Sequence, residues 1–295
     1  MPGHLGWDQE KKPYRLSEYQ GDLRVISFTG ETGWFGGPVT PFATVSQKAA
    51  SPATLTVLRE NAAERSLKPV ATLPSESRPT ALGHAGEQVY AVHFAGPQAY
   101  LVTFRRTDPM YVLDLSDPAE PRTVAELAMP GYSDYLFPLP AGKLLGVGRD
   151  ATADGRVQGL KLALLDVANP AVPRVLASRT LGDSSSSSAL DYTRHGISLV
   201  AQGSQVQVAL PVRVAETSDG KTSTVQGLAR YLADTAAGTL TESPLAVAVR
   251  FDGSSGDSAR YARYDLGKER SFLAVAGAYY LSGGDVSFIP AASGL

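Results

Sequence analysis

Short hydrophobic stretches separated by Gly- and Pro-rich turns run along most of the chain. Residues 89–106 read VYAVHFAGPQAYLVTFRR and residues 134–150 read DYLFPLPAGKLLGVGRD, and each pattern predicts a strand, a turn and a second strand. Some stretches, such as YLVTF at 100–104, are apolar on both faces. Such strands are typical of sheets that stack face to face with neither side in water. Helical periodicity is nearly absent, so the sequence predicts an all-β fold.

One phrase occurs twice in the chain. Residues 111–127 read YVLDLSDPAEPRTVAEL and residues 163–179 read ALLDVANPAVPRVLASR. Seven residues of the first copy recur at an offset of 52: Leu113, Asp114, Pro118, Ala119, Pro121, Arg122 and Ala125. A fixed period near fifty residues in strand-like sequence indicates a repeat architecture such as a β-propeller. We therefore predict four-stranded antiparallel blades.

About five blades are predicted, three of them complete and two partial, forming a closed ring or an arc of a larger propeller. The second blade comprises Val89–Phe94, Gln98–Arg105, Met110–Ser116 and Arg122–Met129. The third comprises Tyr132–Leu139, Lys143–Asp150, Leu160–Ala168 and Arg174–Leu181. The fourth comprises a strand near Tyr192–Val200, then Gln205–Val214, Gly227–Asp234 and Pro244–Phe251. The first blade has Leu23–Thr29, Thr54–Arg59 and Leu67–Leu73, without a clear innermost strand. The last has Arg260–Leu266, Ser271–Leu281 and Asp285–Ile289, without an outer strand.

Two features mark the connections between these strands. The first two strands of blades two and three are offset by 44 residues rather than 52, which places eight extra residues within 149–159. Residues 216–226 (ETSDGKTSTVQ) are predicted to be a long polar loop. The repeated Asp117-Pro118 and Asn169-Pro170 pairs predict turns, because proline presets φ and the preceding side chain accepts backbone N–H groups.

Several motifs resemble those of secreted prokaryotic proteins that carry a C-terminal β-propeller, distantly similar to WD repeats. The motifs are YLVTFRRTDPMYVLDLSDPAEP, PGYSDYL, GVGRDATADGRVQGLKLALLDVANPAVP and SSALDY, and the similarity runs from about Tyr14 to the last strands. The resemblance implies an extracytoplasmic setting and a single propeller domain over residues 1–295, as the C-terminal portion of a longer secreted protein. Residues 1–13 would be an irregular N-terminal segment. In that family a His often follows the Tyr-Leu of PGYSDYL, whereas Phe137 stands here.

Composition narrows the function classes. The 27 basic and 29 acidic residues give a formal charge of −2, which disfavours nucleic acid as a partner. The absence of cysteine excludes disulfides and thiolate metal sites. No apolar run approaches the roughly 20 residues of a membrane span. The N-terminal residues have no signal-peptide pattern, which leaves either a cytoplasmic protein or one whose N-terminus lies further upstream.

No motif predicts a metal, a cofactor or a catalytic centre. Asp150, Asp154 and Gly155 lack the downstream glutamate of a calcium loop, so a plain Asp-Gly turn is favoured. The four histidines are scattered, and His93 is expected to be a partly buried strand residue. Asp114 and Asp166 recur at matched blade positions, which suits repeated strand-to-strand hydrogen bonds better than one active site.

The predicted binding face gathers the loops that join strands two to three and blade to blade around the channel. Its members are Arg105, Arg106, Asp108, Tyr132, Asp134, Arg149, Asp150 and Arg213. Arginines at equivalent strand ends, with a tyrosine nearby, could bind a carboxylate or a polar sugar. The alternative is that each arginine pairs with an aspartate and only stabilises the ring.

Three functions fit this pattern. The favoured one is a non-catalytic extracytoplasmic module that binds a protein, peptide or glycan through the predicted face. The second is a hydrolase or lyase that acts on a polysaccharide or peptide at the axial channel, which requires two converging carboxylates. The third is a purely structural spacer within a larger secreted protein.

Overall fold

The computed structural model describes residues 2–6, 8–30, 51–104, 108–251 and 257–291, and it describes the backbone but not the side chain of Asp108. Within these ranges the chain forms five antiparallel sheets. Most of the chain is strand, so the all-β prediction is confirmed.

The first sheet has four strands, one more than the sequence indicated. They are β1 (Leu16–Tyr19), β2 (Asp22–Phe28), β3 (Ala53–Asn61) and β4 (Ser66–Leu73), in that order. The prediction that this blade lacks an innermost strand is therefore wrong for the described residues. The strand β1 was missed because it is four residues long and only half-buried, so its hydrophobic signal is weak.

The second and third sheets follow the predicted blades closely. The second sheet contains β5 (Gln88–Ala95), β6 (Gln98–Phe104), β7 (Asp108–Asp114) and β8 (Arg122–Met129). The third contains β9 (Tyr132–Leu139), β10 (Lys143–Ala151), β11 (Val157–Asp166) and β12 (Arg174–Leu181). The extra residues of the third blade lengthen the β10–β11 hairpin, which turns at Thr152–Arg156.

In the fourth sheet, two short strands take the place of a single edge strand. It contains β13 (Ser187–Ser188), β14 (Ser198–Gln202), β15 (Gln205–Ser218), β16 (Lys221–Asp234) and β17 (Thr239–Phe251). Both β13 and β14 pair with β15, and a 3-10 helix at Ala189–Asp191 separates them. The strand predicted near Tyr192–Val200 therefore begins only at Ser198.

The polar loop predicted at 216–226 is wrong, because these residues extend the β15–β16 hairpin. Asp219 and Gly220 form its tip with φ angles of 51° and 71°, as a two-residue turn between twisted strands requires. A two-stranded ribbon in solvent does not need an apolar face. These strand ends contain three threonines and one valine, and hydrophobic periodicity alone does not reveal them.

The last sheet follows a short helix, α1 (Asp257–Arg263), and a 3-10 helix at Leu266–Lys268. Its strands are β18 (Arg270–Ala274), β19 (Gly277–Ser282) and β20 (Asp285–Pro290). The predicted strand Arg260–Leu266 is wrong, because α1 occupies most of it. Asp257 lies in the first turn of α1 and Arg263 in the last, where the helix dipole favours their charges. The predicted strand Ser271–Leu281 is divided into β18 and β19 by a turn.

The chain divides into two compact units, and the division passes through the third sheet. The N-terminal unit comprises Met1–Phe137, Ala151–Arg156 and Asn169–Arg174, and the C-terminal unit comprises Pro138–Asp150, Val157–Ala168 and Val175–Leu295. In the N-terminal unit the first and second sheets share a core that includes Ile26, Leu55, Leu101 and Leu113. In the C-terminal unit Leu228, Leu273 and Tyr280 belong to one core cluster.

The described part of the chain has no helix with both the length and the apolar character that a bilayer crossing demands.

Candidate functional site

The N-terminal segment before β1 is anchored to the edge of β2. His4 and Phe28 exchange two backbone hydrogen bonds, of 3.0 and 2.8 Å. A 3-10 helix follows at Lys12–Arg15, with a proline in its first turn. Proline presets the helical φ there, so the segment enters β1 with Arg15 directed inward. Described residues of the N-terminal segment that was predicted to be irregular therefore pack against the N-terminal unit.

Arg15 is a buried cation that is only partly hydrogen-bonded. Arg15 is only 6% exposed to solvent. Its Nη2 donates a hydrogen bond to the carbonyl of Val89 at 2.8 Å. Nη1 is buried and has no hydrogen-bond partner among the described residues. Burial lowers the pKa of Arg15 to about 10, and the charge of Asp8 opposes this shift. The group remains a cation at neutral pH.

A cavity of about 230 Å³ opens beside Arg15. We call it the N-terminal cavity, and its lining consists of His4, Leu5, Gly6, Asp8, Lys11, Arg15, Phe28, Gln88, Val89 and Tyr90. A Cβ on Gly6 would lie 3.2 Å from Nη1 of Arg15, and the φ of Gly6 is +81°. Glycine thus permits the backbone turn and leaves space beside the guanidinium.

Two of the residues predicted for the binding face lie next to this cavity. Asp134 forms an ion pair with Lys11, which lines the cavity. The ammonium of Lys11 also lies 5.6 Å from the centroid of the Tyr90 ring. Tyr132 packs against Tyr90 and Phe104, with centroid distances of 4.4 and 4.6 Å. Asp134 therefore fixes a lysine beside a cluster of three aromatic rings.

His4 lines the same cavity as a neutral group at physiological pH. Its Nδ1 accepts a hydrogen bond from the backbone N–H of Gly6 at 2.9 Å, so the ring proton of the neutral form resides on Nε2. Burial lowers the pKa of His4, and the charges of Arg15 and Lys12 lower it further. The positive charge at the cavity wall therefore comes from Arg15 and Lys11.

The predicted residues Arg149 and Asp150 lie in the C-terminal unit, and both are engaged. Arg149 donates to Asp191 at 2.7 Å and to the carbonyl of Ser186. Asp150 accepts from Lys161 at 3.2 Å and from Thr180 at 2.9 Å. These contacts connect β10 with β11, β12 and the segment that precedes β14.

Arg213 is held by another network in the same unit. Its Nε donates to Gln226 at 2.7 Å, and Nη2 donates to the carbonyl of Tyr264 at 3.0 Å. Its guanidinium lies 5.2 and 4.6 Å from the ring centroids of Phe251 and Tyr261. Since Ser187 pairs with Arg213 while Arg149 binds Ser186, the two arginines flank one short segment.

The side chains of the other three residues of the predicted binding face are not described. Arg105 and Arg106 lie outside the described residues, and Asp108 begins β7 without a described side chain. The structure thus groups Tyr132 with Asp134 in one unit and Arg149 with Arg213 in the other. A single face that joins all eight residues stays a prediction.

The sequence alone did not identify Lys11, Arg15 and Tyr90. One signal was present: the segment KKPYR combines two lysines, a proline, a tyrosine and an arginine directly before the first strand. Tyr90 is one half-buried residue of an alternating strand, which by itself indicates packing only. The contribution of these residues depends on long-range contacts that no local pattern encodes.

No group of three or more histidine, aspartate or glutamate side chains that could hold a metal ion occurs in the described ranges. Asp154 instead accepts a hydrogen bond from Thr152 and pairs with Arg156 at 3.3 Å. Gly155 adopts a φ of 85°, as in the predicted Asp-Gly turn.

Antiparallel sheets of three to five strands, three of them four-stranded, follow one another along the described chain, as in a β-propeller. The chain belongs to the family described as Beta propeller domain, whose model matches residues 2–289. An uncharacterized protein of Methanocaldococcus jannaschii is 42% identical over 85 residues, which cover 29% of this chain and 13% of that protein. Another, from Archaeoglobus fulgidus, is 46% identical over 88 residues, covering 30% of this chain and 13% of that protein. The matched region thus spans about an eighth of the length of these relatives.

Two solved structures are similar to this chain at low sequence identity. An α-L-arabinanase of Penicillium chrysogenum, complexed with arabinobiose, is 11% identical with a TM-score of 0.38. The match covers 94% of this chain and 80% of the arabinanase. The β-propeller domain of Nup133 from Vanderwaltozyma polyspora is 8% identical with a TM-score of 0.36, covering 92% of this chain and 79% of that domain.

Proposed function

We propose that this domain is a non-catalytic binding module that acts outside the cytoplasm and engages a protein, peptide or glycan. The observation that carries the proposal is the N-terminal cavity beside the Lys11–Asp134 ion pair and the rings of Tyr90 and Tyr132. Aromatic rings next to fixed charges supply contact area and orientation at low entropic cost, as binding sites require. We include Tyr132 and Asp134 in this surface.

The engagement of the predicted carboxylates supports binding rather than hydrolysis. A glycoside hydrolase needs two carboxyl groups that act as acid and as base or nucleophile across the substrate. Asp134 is paired with Lys11, and Asp150 is bound by Lys161 and Thr180. Both carboxylates therefore hold neighbouring side chains in place. We propose this positioning role for them and no catalytic one.

The extracytoplasmic setting is supported by the similarity of the PGYSDYL and SDPAEP motifs to secreted propeller proteins. Fractionation of the native host with an antibody against this domain tests the location. We expect the antigen in the envelope or culture fluid. Recovery together with a cytoplasmic marker would contradict this part of the proposal.

A structural spacer is the second candidate, and one observation favours it. In the C-terminal unit, Arg149 pairs with Asp191, Asp150 with Lys161, and Arg213 donates to Gln226, as charges that only stabilise the ring would. In our proposal these residues support the binding face, together with Arg105, Arg106 and Asp108. If the domain is a spacer, it should show no saturable binding of any ligand, and this difference distinguishes the two functions experimentally.

Glycan and peptide arrays probed with the purified chain test the binding function. We expect saturable binding to a defined set of features, and an affinity at least about fivefold lower for Tyr132→Ala, because removal of a central aromatic contact costs more than about 1 kcal/mol. Tyr192→Ala, at an exposed tyrosine of the C-terminal unit, is the matched control. Absence of saturable binding on both arrays, or equal affinity of Tyr132→Ala and the wild type, would overturn the proposal.

A further inference from the structure

We propose that the N-terminal cavity binds the carboxylate group of a small ligand through the guanidinium of Arg15. This inference deepens the binding function proposed above, and it assigns a ligand chemistry to the cavity. It begins from a hydrogen-bonding deficit. A buried cation is normally paired, and a buried N–H without an acceptor costs the full desolvation of that group. Arg15 donates only to the carbonyl of Val89, and it forms no ion pair with any described residue.

The space beside Arg15 matches a small ligand group. A water molecule takes up about 30 Å³ in the liquid, so a cavity of about 230 Å³ holds several waters or one carboxylate-bearing ring or side chain. Gly6 lies against the guanidinium, and a Cβ there would crowd Nη1 at 3.2 Å. The cavity wall also includes apolar surface from Leu5, Phe28 and Val89, which can cover the non-polar part of such a ligand.

The charges around the cavity favour a monoanion. Lys11 is already paired with Asp134, which leaves the Arg15 guanidinium as the cation without a carboxylate partner. Asp8 lines the cavity and acts on Arg15 through its charge, so one unpaired cation is balanced by a monoanion, and the second charge of a phosphate would have no cation to pair with. A carboxylate offers two acceptor oxygens in one plane, which is the geometry that a guanidinium binds best.

Titration calorimetry with four probes tests the inference on the whole chain. The acidic probes are glucuronate and N-acetylglycine, and the neutral probes are glucose and N-acetylglycinamide. We expect saturable binding of at least one acidic probe and none of the neutral ones. Binding of glucuronate alone identifies a sugar acid as the ligand class, and binding of N-acetylglycine alone identifies a peptide-like carboxyl group. Binding of neither acidic probe, or equal binding of sulfate, would overturn the inference.

Variants connect the binding to Arg15. Arg15→Met should abolish saturable binding of the acidic probe. Arg24→Met is the control for the loss of a buried arginine, because both Nη groups of Arg24 already donate, to Gly96 and Ser17. It should bind the probe as the wild type does. Retained binding by Arg15→Met, or equal loss in Arg24→Met, would overturn the assignment.

Asp8→Asn keeps the inference testable even where Arg15→Met fails to fold. Asp8 is exposed, and asparagine retains the oxygen that accepts from the backbone N–H of Glu10 at 2.9 Å. Removal of this negative charge should tighten carboxylate binding about threefold or more at low salt. Unchanged or weaker binding would contradict the role of Arg15 as the anion site. If array binding survives in Arg15→Met, the binding function stands and only the carboxylate assignment fails.

Discussion

Three arginines that are buried or half-buried, Arg15, Arg24 and Arg213, differ in how many of their N–H donors are used. Arg24 donates through both Nη groups and lies 4.8 and 4.9 Å from the ring centroids of Tyr19 and Phe94. Arg213 donates through Nε and Nη2 and contacts two more rings. Arg15 donates through Nη2 alone. Arg24 and Arg213 each bind two acceptors and two aromatic rings within the fold and so contribute to stability, whereas Arg15 has one acceptor and lines the N-terminal cavity.

Arg213→Met should destabilise the chain by about 2–3 kcal/mol. The substitution leaves the Gln226 oxygen without its donor in a fully buried position and removes contacts with two rings. Urea unfolding at neutral pH measures the change. Arg250→Met, at an exposed arginine of β17, should change the unfolding free energy by less than about 0.5 kcal/mol. Equal effects of the two substitutions would show that the Arg213 network is not stabilising.

The unfolding free energy should decrease as the pH is lowered from about 7.5 to about 5. Burial lowers the pKa of His93 below its ordinary value of 6.5, so in this range the unfolded chain takes up a proton that the folded chain does not. Stability is therefore complete above about pH 6.5 and is lost below it. His93→Gln should weaken this pH dependence, and His195→Gln at an exposed site should not. A pH dependence that is unaffected by His93→Gln would contradict this explanation.

At the scale of elements, the repeated turn has the same hydrogen bonds in both copies. Asp117 accepts from the N–H of Ala119 at 2.9 Å, and Asn169 accepts from the N–H of Ala171 at 3.1 Å. The aspartates that precede these turns also match, since Asp114 and Asp166 each accept from the N–H two residues later. The repeated phrase therefore encodes a turn, as the sequence predicted.

Asp117→Ala should lower the unfolding free energy by about 0.5–1.5 kcal/mol, the net value of the turn hydrogen bond. Asp117→Asn should be nearly neutral, because asparagine performs the same function in the second copy. Thermal and urea unfolding of both variants check this. If Asp117→Asn is as destabilising as Asp117→Ala, the side-chain acceptor is not what stabilises the turn.

The last sheet exposes a row of aromatic residues. Phe272, Tyr279 and Phe288 are cross-strand neighbours on one face, with exposures of 66, 45 and 46%. Exposed apolar patches promote association. We expect Phe272→Thr to weaken self-association of the purified chain in sedimentation experiments, with less than about 0.5 kcal/mol change in stability. Stronger self-association of Phe272→Thr would contradict this.

The strands of blades two and three could be predicted because their periodicity is strong and they are buried. Arg122–Met129, Tyr132–Leu139 and Arg174–Leu181 have the predicted bounds. The errors occur where burial is weak: β1, the solvent-exposed end of the β15–β16 hairpin, and α1. In such elements neither face supplies the hydrophobic pattern from which the prediction starts.

At the scale of the whole molecule, the site could be predicted only in part. Tyr132 and Asp134 were identified from a motif between blades, and they lie beside Lys11 and Tyr90. The cavity itself depends on how the N-terminal segment packs on β2 and β5, which requires contacts between residues more than seventy positions apart. No short sequence pattern specifies such contacts.

Hydrogen exchange of the chain, measured by mass spectrometry with and without saturating array ligand, tests the central claim most directly. We expect ligand-dependent protection of residues 2–6, 8–15, 88–95 and 132–137, because these segments carry the cavity, Tyr90, Tyr132 and Asp134. Protection confined to other segments, or no protection at saturation, would contradict the assignment of the binding site to the N-terminal cavity and its aromatic rim.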